Sequence, residues 1–104
     1  MKKKFILSVV IPTLGRDILC LKMILKTRLK IIIVIDRNLR FKQNFIKKYS
    51  KQIKNKNISI IYIKKKISLN RLRYAGAIKT QSKYILFIDD DDNIEIKNLL
   101  ILKK

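Results

Sequence analysis

Four short runs dense in β-branched and aromatic residues constrain this chain more than anything else in it: Phe5 to Ile11 (FILSVVI), Leu29 to Ile35 (LKIIIVI), Ile58 to Ile63 (ISIIYI) and Tyr84 to Ile88 (YILFI). They are near-continuously apolar and do not alternate. A strand with one wet face alternates apolar and polar residues, so an unbroken run reads as a strand buried on both sides, as in parallel sheets. The connections carry helical spacing instead. Ile18, Leu21, Met23, Ile24 and Leu25 form an apolar face after Asp17, and Phe41, Phe45, Ile46 and Tyr49 form another in the lysine-rich second connection. The third, Ser68 to Gln81, has Ser68 as its predicted N-cap and Leu69, Leu72, Ala75 and Ile78 as its buried stripe. A last helix is predicted from Ile94 to Leu102. Strand and helix therefore alternate, and right-handed crossovers between parallel strands place the helices on the sheet faces. The expected fold class is α/β, an open, mostly parallel sheet with flanking helices.

The 104 residues have room for one compact domain, at the small end of what folds unaided. With 48% hydrophobic residues, two Gly and one Pro, the chain reads as packed, not disordered. Its formal charge of +19 comes from 26 Lys and Arg against seven Asp and Glu, which points to nucleic acid, anionic lipid or phosphorylated ligands as partners. The same lysines are scattered with Ile and Asn along the whole chain, as in KKKF, KNKN and KKKI. Compositional drift in an AT-rich genome produces that pattern too, so a solvated basic surface without a dedicated partner stands as the alternative. Cys20 is the only cysteine and there is no histidine. An internal disulfide, a cysteine-rich metal site, zinc and His-based acid/base chemistry are thereby disfavoured, and a reducing compartment is expected. The opening MKKKFILSVVI begins like a signal peptide but meets Pro12 and TLGRD with no small-residue cleavage site, and it reads as the first strand. No apolar stretch approaches the ~18–20 residues that span a bilayer. The expectation is a cytoplasmic protein, soluble or peripheral at the inner face of the membrane.

Polar residues with chemical potential follow the strands: Thr13 and Arg16 after the first, Asp36 after the second, and Asp89-Asp90-Asp91-Asp92 after the fourth. Ligands of open parallel sheets bind beyond the carboxyl ends of the strands, so the spacing gathers these groups at one edge. Four of the seven acids stand in one run. Two carboxylates ~5–6 Å apart repel by about 1–3 kcal/mol for effective dielectrics between bulk water and a protein surface. Such a cluster calls for compensation, and a hard divalent cation, magnesium or manganese, supplies it while holding a diphosphate against the loop. The competing account is that Asp92 or Asn93 caps the last helix and its neighbours gain from the helix dipole. Asp36 is read equally as a solvated turn residue or a binding residue. Arg71 and Arg73 could grip a diphosphate bidentately, or be solvated like most arginines on amphipathic helices.

Together these elements resemble the amino-terminal half of a family-2 glycosyltransferase with the GT-A, Rossmann-like fold. SVVIPTLGRD (Ser8 to Asp17) is similar to that family's opening strand and loop, and IIIVID (Ile31 to Asp36) to its second strand ending in an aspartate. RYAGAIKTQSKYILFIDDDD (Arg73 to Asp92) resembles its helix, strand and DXD motif, and the resemblance covers essentially the whole chain, read as a single partial domain over 1–104. It implies that Pro12 and Thr13 line the nucleotide pocket and that Asp36 contacts the base. Arg73 would lie near the base or diphosphate, Asp89 and Asp90 near the ribose and metal, and Asp91 on the manganese or magnesium that bridges the diphosphate. The implied chemistry is inverting transfer of a sugar from a nucleotide-diphosphate donor to an acceptor hydroxyl. The sequence departs from the family where Arg37, Asn38 and Leu39 replace the usual second acid, Gly and Ser. The family's catalytic base and acceptor site lie on later strands, so no general base is assigned here. Two other readings stand beside this one: a non-catalytic fragment or nucleotide-binding module, and a basic nucleic-acid-binding module, the latter disfavoured by the resemblance.

Overall fold

A computed structural model describes residues 7–27, 29–80 and 82–92. Four strands, β1 (Leu7–Thr13), β2 (Lys30–Asp36), β3 (Ile58–Ile63) and β4 (Tyr84–Phe87), form one sheet in the order β3-β2-β1-β4. Every pairing is parallel: Val9 stands beside Ile31 and Leu86, and Ile31 beside Ile58. The α/β fold class expected from the unbroken apolar runs is therefore the one observed. Burial on both faces holds for the two central strands, where every residue of β1 is buried and only Lys30 of β2 is partly exposed.

Successive side chains point to opposite faces. One face carries Val9, Ile11, Ile31, Ile33 and Ile35 and packs on Cys20, Leu21, Ile24 and Phe45. These come from α1 (Leu21–Leu25), its approach, and α2 (Leu39–Lys48), with Ile53 of α3 (Ser50–Lys54) packed against them. The other face carries Val10, Ile32 and Val34 against Leu72 of α4 (Leu69–Ala77). The split follows from topology. The chain leaves β1 toward β2 and β3, then returns past β1 to β4, and right-handed crossovers in opposite directions put their helices on opposite faces.

Ser68 caps α4 as predicted, accepting from Arg71 N at 3.2 Å. The buried stripe differs from the expectation: Leu72 and Gly76 are buried, whereas Leu69 and Ile78 are 48% and 63% exposed. The helix also ends at Ala77, short of Gln81. Close approach at Gly76 is the reason, because contact there selects the 72–76 row over the 69–72–75–78 row. The second connection forms two helices, broken at Tyr49, where Ile46 is exposed and Phe45 is the buried member of the apolar face. The outer strands are less covered than their sequences imply: Tyr84 and Phe87 of β4 are exposed because it lies at the edge of the described sheet. Pro12 extends β1 by two residues with Thr13 beyond the predicted end. Its missing N–H is tolerated because β4 pairs only as far as Val10 and leaves that side of β1 open at Pro12. The helix predicted from Ile94 to Leu102 lies outside the described residues.

A Cβ added at Gly76 would overlap Val10 Cγ1 and stand 3.0 Å from Val34 Cγ2, both on the buried sheet. Gly76→Ala is expected to destabilise the fold by about 1–3 kcal/mol through overpacking, read as a lower urea midpoint with unchanged slope. An unchanged midpoint would show that α4 stands off the sheet.

Candidate functional site at the carboxyl edge of the sheet

The strand order reverses between β1 and β4, and the loops leaving two such strands diverge to opposite faces and open a crevice. In this crevice the β1 loop meets the acidic run. Thr13 Oγ1 donates to Asp90 Oδ2 at 2.7 Å, and Arg16 Nη2 donates to Asp90 Oδ1 at 3.1 Å. Leu19 N completes the contact by donating to the Asp90 carbonyl at 3.0 Å. Asp90 is only 3% exposed, so both carboxylate oxygens are held inside the structure. A buried carboxylate stripped of its partners would cost several kcal/mol. Thr13 and Arg16 thus fix the acidic loop to β1.

The neighbouring acids are presented differently. Asp92 Oδ2 accepts from Asp89 N at 2.9 Å and Asp92 N donates to the Asp89 carbonyl at 3.0 Å, closing a tight turn. In that turn one carboxylate oxygen from each of Asp89, Asp91 and Asp92 lies within 4.8 Å of the others. Asp91 and Asp92 are exposed, and Asp89 is half-buried. Three hard oxygen donors gathered in one turn are the ligand type that magnesium and manganese prefer, and a small closing movement of the exposed carboxylates would bring them to ligand distance. Asp92 belongs to the acidic run read as a cation or ligand site, but the resemblance gave it no role of its own and the competing account made it or Asn93 a helix cap. Only the turn, which brings its carboxylate back over Asp89, reveals its place in this set.

Arginines pair with the acids around the cleft. Besides Arg16 with Asp90, Arg73 Nη2 pairs with Asp89 Oδ1 at 3.2 Å and Arg37 Nε with Asp36 Oδ1 at 3.0 Å. Arg37 takes the left-handed conformation, φ 55°, to fold back on its neighbour. The departure from the family's second acid therefore places a guanidinium on Asp36. Arg73 Nε is buried with no hydrogen-bond partner among the described residues, which leaves a donor of that guanidinium uncommitted beside Asp89.

Of the residues singled out from sequence, Pro12, Thr13, Asp36, Asp89, Asp90 and Asp91 line one cleft of about 380 Å³. That volume lies in the range of small-molecule sites. Arg73 joins it through Asp89, while Arg71 is exposed with its backbone engaged by the Ser68 cap. A larger cleft of about 520 Å³ lies between the β1–α1 loop and α2, where Asp17 is the one acid in its lining. The carboxylates gather at the smaller one, whose lining includes Asp36, Asp89, Asp90 and Asp91. Cys20 is buried in the core, and desolvation raises its thiol above the ordinary value, which makes it a poor nucleophile.

Asn38 was not anticipated and is the clamp of the site's other wall. Its Oδ1 accepts from Phe41 N at 2.9 Å to cap α2, and its Nδ2 donates to the Leu14 carbonyl at 3.1 Å. It therefore ties the β1 and β2 loops together. Gly15, at φ 115°, lies so close to Asn38 that a Cβ would overlap the Asn38 amide. An N-cap signal was present in the sequence, but the cross-loop bond was not. Asn38→Ala is expected to lower stability by about 1–2 kcal/mol, measured by thermal melting. A loss below a few tenths would mean that the clamp is solvated away.

Comparison with known proteins agrees with this geometry. The family model described as glycosyl transferase family 2 matches residues 8–102. Among solved structures, the crystal structure of S. aureus TarS 1-349 superposes with a TM-score of 0.74 at 22% identity, over 92% of this chain and 30% of that one. This chain thus spans under a third of that structure. No curated protein matches the sequence. With the parallel sheet, the acidic turn at its switch point and a family match over nearly its whole length, the chain belongs to glycosyl transferase family 2.

Proposed function

We propose that the carboxyl-edge cleft binds a nucleotide-diphosphate sugar together with a divalent cation, manganese or magnesium, as the donor site for inverting sugar transfer to an acceptor hydroxyl. The observation that carries the reading is the convergence of Asp89, Asp91 and Asp92 oxygens within 4.8 Å of one another beside the cleft. Membership of the family supports glycosyl transfer in general. Asp91 and Asp89 would hold the ion, with Asp92 as the third carboxylate, and the ion would supply charge stabilisation for the departing diphosphate.

The chain's own groups supply position and selectivity. Pro12 and Thr13 line the cleft, where they would contact a nucleoside, and Thr13 is kept in place by its bond to Asp90. Asp36 lines the same cleft paired with Arg37, and would accept from a base or ribose. Arg16 pairs with Asp90 and Arg73 with Asp89, and guanidinium groups shared between a carboxylate and a phosphate would orient the diphosphate. Inversion is the stereochemistry implied by the resemblance, and it requires a single in-line displacement at the anomeric carbon.

Calorimetric titration with UDP and GDP, with and without manganese at moderate salt, tests this. Binding is expected only with the metal, and chelator should abolish it. Asp91→Ala is expected to weaken metal-dependent nucleotide binding by about tenfold or more, a loss equivalent to ~1.4 kcal/mol. Its circular dichroism and melting should be unchanged, because Asp91 is exposed and makes none of the bonds that anchor Asp90. Unaltered affinity in a folded Asp91→Ala protein would refute the site assignment.

A further inference from the structure

We infer that the outward face of α2 and α3 is a docking surface for an anionic phospholipid bilayer, independent of what the acidic edge binds. No Asp or Glu occurs between Asp36 and Asp89, while Lys and Arg recur throughout that stretch. The described acids, Asp17, Asp36 and Asp89 to Asp92, all follow β1, β2 or β4 and gather toward the carboxyl edge of the sheet. The acids at that edge stand among cations, Arg16, Arg37 and Arg73 paired with them and Lys64 to Lys66 following β3, whereas the outward side of α2 and α3 carries cations and no acid.

At about 100° per residue, Leu39, Arg40, Ile46 and Lys47 share one side of α2, opposite the inward Phe41 and Phe45. All four are exposed, Leu39 by 50% and Ile46 by 38%. Lys51 and Lys54 of α3 add two more exposed ammonium groups. The described ion pairs are all made by arginines of the cleft, so the charge of these lysines is uncompensated within the described fold. Cations flanking exposed aliphatic side chains match the headgroup and outer acyl region of an anionic leaflet, where Coulomb attraction and apolar burial add. Single-stranded nucleic acid fits less well. It calls for exposed aromatic platforms, and the exposed aromatics Tyr74, Tyr84 and Phe87 lie on α4 and β4 instead.

The test is co-sedimentation of the full chain with phosphatidylcholine vesicles, with and without phosphatidylglycerol, and filter binding to single-stranded RNA, all at moderate salt. Binding is expected to the phosphatidylglycerol vesicles alone. The triple variant K47E/K51E/K54E should weaken it by about tenfold or more. K64E/K65E/K66E, which makes the same change in net charge on the β3–α4 connection, should bind within a few-fold of the wild type. Ile46→Ser should lower binding at salt high enough to screen the lysines. Equal losses in the two charge variants would show that net charge alone drives binding, and no loss in Ile46→Ser would remove the bilayer contact. Binding to RNA but not to vesicles would also overturn the inference.

Discussion

The parallel pairing of β1 with β2, shielded on both faces, is the constraint that the rest of the structure answers to. Val9, Val10, Ile11 and Ile31 to Ile35 are fully buried, and β1 is hydrogen bonded on its other side to β4. Burying each such side chain contributes on the order of 1.5–3 kcal/mol, but only if both faces are covered. That requirement fixes the helices. Cys20, Leu21, Ile24 and Phe45 close one face, and α4 closes the other at such short range that residue 76 has to be glycine. With the strands parallel and the order 3-2-1-4, the loops bearing Thr13, Asp36 and the acidic run converge on one edge.

Electrostatics at that edge works against an otherwise basic chain. Carboxylates crowd there, yet the most deeply placed of them, Asp90, has its charge matched by Arg16 and its second oxygen by Thr13. Asp36 and Asp89 have one guanidinium each. Structural satisfaction and ligand readiness are therefore divided among neighbours in one turn. Asp90 anchors the turn to β1, and Asp89, Asp91 and Asp92 present oxygens outward. The division has a simple physical origin: a carboxylate inside the fold has given up its water and needs hydrogen-bond partners in exchange, while one at the surface is hydrated and can exchange water for a cation.

Loop geometry at the site depends on residues chosen for backbone shape as much as for charge. Gly15 and Arg37 take positive φ on the two walls, and Asn38 bridges them with a single amide. By the resemblance drawn from the sequence, Asn38 stands where the family's pattern has Gly. The chain thus closes the β2 side of its cleft with its own set of contacts and brings Arg37 onto Asp36, the position expected to meet the base.

The sequence by itself determined the class of fold and the edge where the polar residues gather, because unbroken runs such as IIIVI admit few structures other than a sheet buried on both faces. It also placed the Ser68 cap and most of the cleft lining, since strand ends in a parallel sheet share one side. Only the tertiary structure decided which of the four aspartates anchors and which are offered, because that depends on Thr13 and Arg16, more than seventy residues away in the chain. It likewise decided the Gly76 contact over the Leu69 and Ile78 stripe, and the Asn38 clamp across two loops. Periodicity records that a helix has an apolar side. The depth at which that side meets the sheet, and the partner a polar atom finds across a gap, are set by long-range packing that no local pattern encodes.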